Sequence, residues 1–122
     1  GDLYVHVKVR PHPLFSQGRA GDLVVDVPVT FPEAALGANV VVPTLDGTVT
    51  VKVSPGTQHG RTLRVRGKGG PRASGGKGDL LVKISVEVPR KLSRKEREAL
   101  ERFAEVHDVS PRAHLDRETS TA

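Results

Sequence analysis

The stretches GDLVVDVPV (residues 21–29) and GDLLVKISV (residues 78–86) both begin with Gly-Asp-Leu and continue as valine-rich, largely alternating runs. A third copy, GDLYVHVKV, occupies residues 1–9. Alternation of this kind is typical of a strand with one buried and one solvated face. An aspartate that follows glycine at a strand start most often fixes a turn by accepting bonds from backbone amides. We therefore predict that Gly-Asp-Leu marks a repeated loop-to-strand corner whose aspartates are structural and bind no metal.

The composition favours a mainly β protein. The chain has 122 residues, of which 36% are hydrophobic but only 3% aromatic, with no Cys, Met or Trp. A core must then be built from aliphatic residues, and the abundant valine fits a pleated surface better than a helix. Without cysteine, disulfides and thiolate metal sites are excluded. No apolar run approaches the roughly 20 residues that a membrane span needs, and we expect a cytoplasmic protein.

One hairpin is indicated by the stretch ANVVVPTLDGTVTVKV (residues 38–53). Two valine-rich runs flank the dipeptide Asp46-Gly47, which accepts the positive φ angles of a tight primed turn. We predict a two-stranded hairpin in which Gly47 has a positive φ.

Helix signals are confined to two short segments. In PEAALG (residues 32–37), Pro32 suits the first helical turn and Gly37 suits a left-handed C-terminal cap. Ser93 followed by Glu96 is a capping-box pattern, and apolar residues at helical spacing come after it. These patterns predict one short internal helix and one helix near the end of the chain.

Three aromatic or large aliphatic residues, Phe15, Phe31 and Leu36, are expected in the core. Residues 67–78 hold six glycines and no apolar anchor. Segments of that kind are usually exposed and weakly protected, so we expect this loop to be mobile.

A known family carries the same motifs in the same order. A close resemblance to the C-terminal client-binding region of DnaJ-family co-chaperones runs over residues 1–106 and rests on HPLF (12–15), GDLVVDVPVTFPEAALG (21–37), VPTLDGTVTVKV (42–53), PGTQHGRTLRVRGKGGP (55–71) and GDLLVKISVEVP (78–89). In that family two similar β-sandwich subdomains follow an N-terminal J domain. The resemblance implies a small two-layer β-sandwich subdomain with one short internal helix and one C-terminal helix.

The resemblance also implies an organisation for the chain. Residues 1–13 would be the final strand of a preceding β-subdomain with its connector, and residues 14–89 the second β-sandwich subdomain. Residues 90–107 would form the C-terminal helix, and residues 108–122 a polar tail that we expect to be disordered.

The function that the resemblance implies is non-catalytic binding of unfolded client polypeptides and scaffolding, in a co-chaperone that works with a DnaK-type chaperone. A C-terminal segment dimerises members of the family, so a homodimer is expected, with no membrane partner. The His-Pro-Asp motif that stimulates the chaperone ATPase is absent from the sequence. The family's zinc module is inserted upstream of residue 1, so no cofactor is expected in this chain.

A client groove follows from aligning the two repeats of the family. The groove known on the first subdomain maps onto five residues here: Val40, Val42, Thr44, Val82 and Ile84. Extended client segments would add to a sheet edge there, with apolar pockets for their side chains. The alternative is that these residues are ordinary core.

A basic run gives the competing function. Between residues 61 and 77 there are six cations and no acid: Arg61, Arg64, Arg66, Lys68, Arg72 and Lys77. The run could bind nucleic acid or could simply be a solvated basic strand and loop. It lacks the aromatic platform expected for single strands, so we regard a nucleic-acid partner as the weaker hypothesis. A purely structural dimerisation fragment is a third. The five histidines are scattered without ligand spacing, and we expect no enzyme activity.

Overall fold

The computed structural model describes residues 14–115. The expectations for residues 1–13, and for the tail from residue 116 onward, lie outside the described residues. The chain divides into two compact units, with the boundary between Val88 and Pro89.

The described part of the first unit holds six strands and a short helix, and the described part of the second unit holds one long helix and a helical segment at residues 113–115. Their bounds are β1 (Phe15–Gln17), β2 (Leu23–Thr30), α1 (Phe31–Leu36), β3 (Ala38–Thr44), β4 (Gly47–Val53), β5 (Thr62–Val65), β6 (Leu80–Glu87) and α2 (Arg94–Val106). The mainly β fold with one internal and one C-terminal helix is confirmed. Neither helix is long and apolar enough to cross a membrane.

The strands form two sheets. The larger has the order β1-β2-β6-β5, and the smaller is the β3-β4 hairpin. Strands β2 and β6 run parallel, whereas β1 and β5 flank them in antiparallel pairings. Buried side chains from both sheets meet in one hydrophobic cluster, as a two-layer sandwich requires: Phe15, Val25, Val27, Val29, Ala34, Val42, Val51, Val53, Leu80, Val82 and Ile84. Phe15 is in the core, as expected.

Two of the Gly-Asp-Leu copies lie side by side at the start of the parallel pair. The Asp79 N–H donates to Asp22 Oδ1 at 2.7 Å, and the Leu23 N–H donates to the Asp79 carbonyl at 2.9 Å. A Cβ at Gly78 would lie 2.4 Å from the carbonyl carbon of Gly21. Glycine is therefore required where these two segments of the chain approach each other. Asp79 Oδ1 in turn accepts from the Gly67 N–H at 3.0 Å. The prediction that the aspartates accept backbone bonds at a strand corner is therefore confirmed for these two copies.

The mobility of the loop at residues 67–78 stays a prediction, which concerns mainly its exposed residues 71–77. Its base is held by backbone bonds: the Gly69 N–H donates to the Gly78 carbonyl at 2.9 Å, and the Gly70 N–H donates to the Gly21 carbonyl at 2.7 Å. Gly69, Gly70 and Gly78 are all buried. The loop is anchored through its backbone, which explains why a search for apolar side chains found no anchor.

The β3–β4 hairpin is confirmed, but its turn is not the predicted one. Thr44 pairs with Gly47, so the two turn residues are Leu45 and Asp46. Ala20 is the only non-glycine with a positive φ in the described part of the chain, so Asp46 is not left-handed. The prediction of a primed turn was therefore wrong. Gly47 does have a positive φ, of 154°. Asp46 Oδ1 accepts a bond from the Thr44 hydroxyl at 3.0 Å, which stabilises the turn without left-handed residues.

Helix α2 begins with the predicted capping box. Ser93 Oγ accepts from the Glu96 N–H at 3.1 Å, and Glu96 Oε1 accepts from the Ser93 N–H at 2.7 Å. The backbone bond from Ser93 lowers the pKa of the Glu96 carboxyl. Residues 113–115 are helical, so the polar tail has local structure in its described part.

We expect Gly78→Ala to lower the free energy of unfolding by about 1–3 kcal/mol, because the added methyl group would overlap the Gly21 backbone. The matched control is Gly18→Ala, where a Cβ would meet its nearest neighbour at an ordinary 3.4 Å. That control should change stability by less than about 0.5 kcal/mol. Urea denaturation followed by circular dichroism measures both, and equal stability of the two variants would contradict the close approach.

Candidate functional site

The five residues expected to line a client groove are mostly buried. Val42, Val82 and Ile84 are at most 1% exposed, and Thr44 is buried beside the hairpin turn. Val40 is half-buried and packs against the hydrophobic cluster. Their burial favours the alternative that these residues are ordinary core. Strands β3 and β6 belong to opposite layers of the sandwich, so their inward side chains fill the core between the layers.

An open apolar surface lies elsewhere on the first unit. Helix α1, the loop between β4 and β5, and the end of β6 enclose a shallow cavity of about 290 Å³. Its apolar and polar walls include Phe31, Ala34, Ala35, Thr57, His59 and Val86. Sequence reasoning missed this site because three separate segments build it. The alanine pair in PEAALG was the available signal, since small side chains on a helix leave space beside it.

Hydrogen bonds hold the loop that forms the floor of the cavity. The N–H groups of Gly56 and Thr57 both donate to the Ala34 carbonyl, at 2.9 and 3.0 Å. The Thr57 hydroxyl donates to the Ser54 carbonyl at 2.6 Å. His59 Nδ1 accepts from the Val86 N–H at 3.0 Å, which places the proton of the neutral ring on Nε2. The cavity is therefore preformed, with the loop fastened to both α1 and β6.

Two apolar residues of α1 face outward, contrary to expectation. Phe31 is 41% exposed and Leu36 is 78% exposed, whereas Ala34 is the buried residue of the helix. A helix of six residues presents only a narrow face to the core, so the remaining side chains lie at the surface. The result is an exposed apolar margin on the helix that forms one wall of the cavity.

The basic run meets carboxylates that are distant in sequence. Arg64 Nη1 lies 2.7 Å from Asp79 Oδ2 and 3.6 Å from Asp22 Oδ2, and Arg72 Nη2 lies 3.7 Å from Asp22 Oδ1. A bond from the Gly67 N–H and the Arg64 guanidinium both lower the pKa of the Asp79 carboxyl. These partners neutralise part of the run.

The remaining cations of the run are arranged differently. Lys77 Nζ lies 3.8 Å from Asp46 Oδ2. The bond from the Thr44 hydroxyl lowers the pKa of the Asp46 carboxyl, and the charges of Lys68 and Lys77 lower it further. Within residues 14–115, no carboxylate lies within ion-pair distance of Arg61 or Arg66. The run is therefore not one continuous cationic patch. The same residues contain no group of three or more His, Asp or Glu side chains that could hold a metal ion.

Comparison with known proteins gives consistent matches. A family model described as the DnaJ C terminal domain matches residues 1–89. The chain is 51% identical over 108 residues to "Chaperone protein DnaJ" of Caldicellulosiruptor saccharolyticus, covering 87% of this chain and 27% of that protein. It is 59% identical over 105 residues to "Chaperone protein DnaJ 1" of Mycobacterium tuberculosis, covering 85% and 26%.

A third relative covers more of the chain. "Chaperone protein DnaJ 1" of Streptomyces coelicolor is 55% identical over 118 residues, which is 94% of this chain and 29% of that protein. The chain thus spans less than a third of the length of the curated relatives that it matches.

Replacement of Asp79 by asparagine should change how stability depends on pH. The folded-state pKa of this carboxyl lies below its ordinary value, so its contribution is present at neutral pH and is lost as the pH falls through the folded pKa. We expect Asp79→Asn to be less stable than the parent at neutral pH and to lose less stability between about pH 5 and pH 2.

The control is Asp108→Asn, because Asp108 makes no ion pair with any described residue. Urea unfolding at stepped pH is the measurement. Parallel stability curves for the parent and Asp79→Asn would show that the Asp79 pairings contribute nothing.

Proposed function

The chain belongs to the DnaJ C-terminal domain family, and from that membership we propose that it is a non-catalytic module that binds and holds unfolded client polypeptides. The resemblance found in the sequence is thereby confirmed. We assign residues 14–89 to the second β-sandwich subdomain of such a protein, and residues 90–107 to the helix that follows it.

The observation that carries the proposal is the shallow apolar cavity between α1, the β4–β5 loop and β6. Unfolded polypeptides differ from folded proteins in exposing apolar side chains, and an open cavity of about 290 Å³ can receive one such side chain. The exposed side chains of Phe31 and Leu36 add apolar surface on α1. We propose this cavity, in place of the buried set Val40, Val42, Thr44, Val82 and Ile84, as the client contact.

A shallow site also suits the task of transient holding. Burying apolar area is worth roughly 25 cal/mol per Å², and this gain is opposed by the ordering of a flexible client. A single small cavity therefore gives weak and rapidly reversible binding. Such binding allows a client to be passed on without an energy-consuming step in this module.

Partners and location are proposed on the same basis. The full-length protein would work with a DnaK-type chaperone in the cytoplasm, would pair with a second copy of itself, and would carry any zinc in a module outside this chain. The nucleic-acid alternative has lost support, because Arg64, Arg72 and Lys77 are near carboxylates of the same unit.

We expect Ala35→Glu to weaken binding of a fluorescent unfolded-client peptide by about tenfold, because it places a carboxylate in the apolar cavity. The control is Val41→Glu, which adds the same charge at an exposed apolar residue of β3 that does not line the cavity. Circular dichroism melting should show both variants folded.

Salt separates this function from the nucleic-acid alternative. Binding driven by apolar burial should change by less than about twofold when salt is raised from low to high concentration. A steep loss of peptide binding with salt, or equal binding by Ala35→Glu and Val41→Glu, would count against the cavity.

A further inference from the structure

Strand β5 is the outer strand of the four-stranded sheet, and among the described residues no strand pairs with its other edge. It pairs with β6 in antiparallel register, and the Ile84 N–H donates to the Arg61 carbonyl at 2.8 Å. Because hydrogen-bonded positions alternate along an antiparallel strand, Leu63 and Val65 continue this ladder. The backbone groups of Thr62 and Arg64 then point away from the sheet. In the part of the chain that the structure describes, no further strand pairs with β5 on that side.

The two faces of β5 differ in chemistry. Leu63 and Val65 are half-buried and pack against the hydrophobic cluster. Successive side chains alternate across a strand, so Thr62, Arg64 and Arg66 lie on the solvent side, where all three are exposed. The edge therefore combines a row of partly covered apolar groups with a row that carries positive charge.

The charge along this edge is mainly positive, although one of its cations is already paired. Arg64 is fixed by its 2.7 Å contact with Asp79, whereas Arg61 and Arg66 have no carboxylate within ion-pair distance among the residues that the structure describes. Lys83 is directly opposite Thr62 on β6 and is exposed as well. Charge is a common protection of open edges against aggregation. The unpaired cations Arg61 and Arg66 repel a cationic strand, including a second β5, but attract an acidic one.

We propose that the open edge of β5 binds an extended polypeptide in which acidic and apolar residues alternate. The added strand would exchange backbone hydrogen bonds with Thr62 and Arg64. On the solvent side its carboxylates would lie beside Arg64 and Arg66, at the roughly 5 Å separation of cross-strand neighbours. On the other side its apolar residues would complete the cover of Leu63 and Val65. This surface shares no residue with the cavity and goes beyond the client site proposed above.

The test compares three labelled ten-residue peptides. The first alternates glutamate and valine, the second has the same composition with its glutamates and valines in separate blocks, and the third is the alternating peptide with alternate amides N-methylated on the edge-facing side. Strand addition predicts binding of the first at least about tenfold tighter than that of the other two, by fluorescence anisotropy.

Variants of the protein locate the site. Arg66→Glu should weaken binding of the alternating peptide by about threefold to tenfold. Arg97→Glu makes an equal charge change on α2 and should alter that binding by less than about twofold. Thr62→Pro removes the Thr62 N–H, which faces the outer edge, and leaves the hydrogen bonds between β5 and β6 in place. This variant should therefore also weaken peptide binding. If that variant does not fold, the N-methylated peptide decides the same question. The cavity variant Ala35→Glu should bind the alternating peptide like the parent.

Three results would overturn the proposal. One is equal binding of the alternating and block peptides, and another is equal weakening by Arg66→Glu and Arg97→Glu. The third is displacement of the peptide by a single-stranded oligonucleotide at the same concentration of charge, which would identify the edge as a nucleic-acid site.

Discussion

The parallel pairing of two Gly-Asp-Leu corners is the constraint on which the rest of the first unit depends. A Cβ at Gly78 would overlap the Gly21 backbone, and a Cβ at Gly21 would lie 2.8 Å from the Pro71 carbonyl oxygen. Asp22 accepts the Asp79 N–H across the gap between the two corners. This contact fixes the register of β2 and β6 from Leu23 and Leu80 to their ends. A slip of one residue would turn every inward side chain outward, so the corner also determines which residues form the core.

Both candidate surfaces derive from that register. At the far end of the parallel pair, β2 passes directly into α1 through the capping box of Thr30 and Glu33, and β6 holds His59 through the Val86 N–H. The cavity forms between these two ends. On its other side β6 carries β5, whose outer edge stays open. The apolar cavity and the charged edge thus share β6 as a support while offering different chemistry to different segments of polypeptide.

The electrostatics of the unit show why a linear count of charges misleads. Six cations without an acid in residues 61–77 suggested a patch for a polyanion. In the folded unit the corner aspartates contact Arg64 and Arg72, and the hairpin aspartate is near Lys77. What remains is a narrower positive margin along β5. A narrow margin beside open backbone groups fits a single extended strand better than the wide backbone of a nucleic acid.

The class of fold, most of the strands and the presence of two helices could be predicted from the sequence, because those features rest on local periodicity, turn residues and caps. The alternation after Gly-Asp-Leu, the Ser93–Glu96 capping box and the hairpin around Asp46 are all local patterns. The tertiary structure was needed to settle which apolar residues are covered. Val42, Val82 and Ile84 are core, and Phe31 and Leu36 are at the surface, because burial depends on which layer or loop lies opposite. It also decided that the glycine-rich loop is anchored and that the basic run is partly paired, since both depend on contacts between residues that are far apart in the chain.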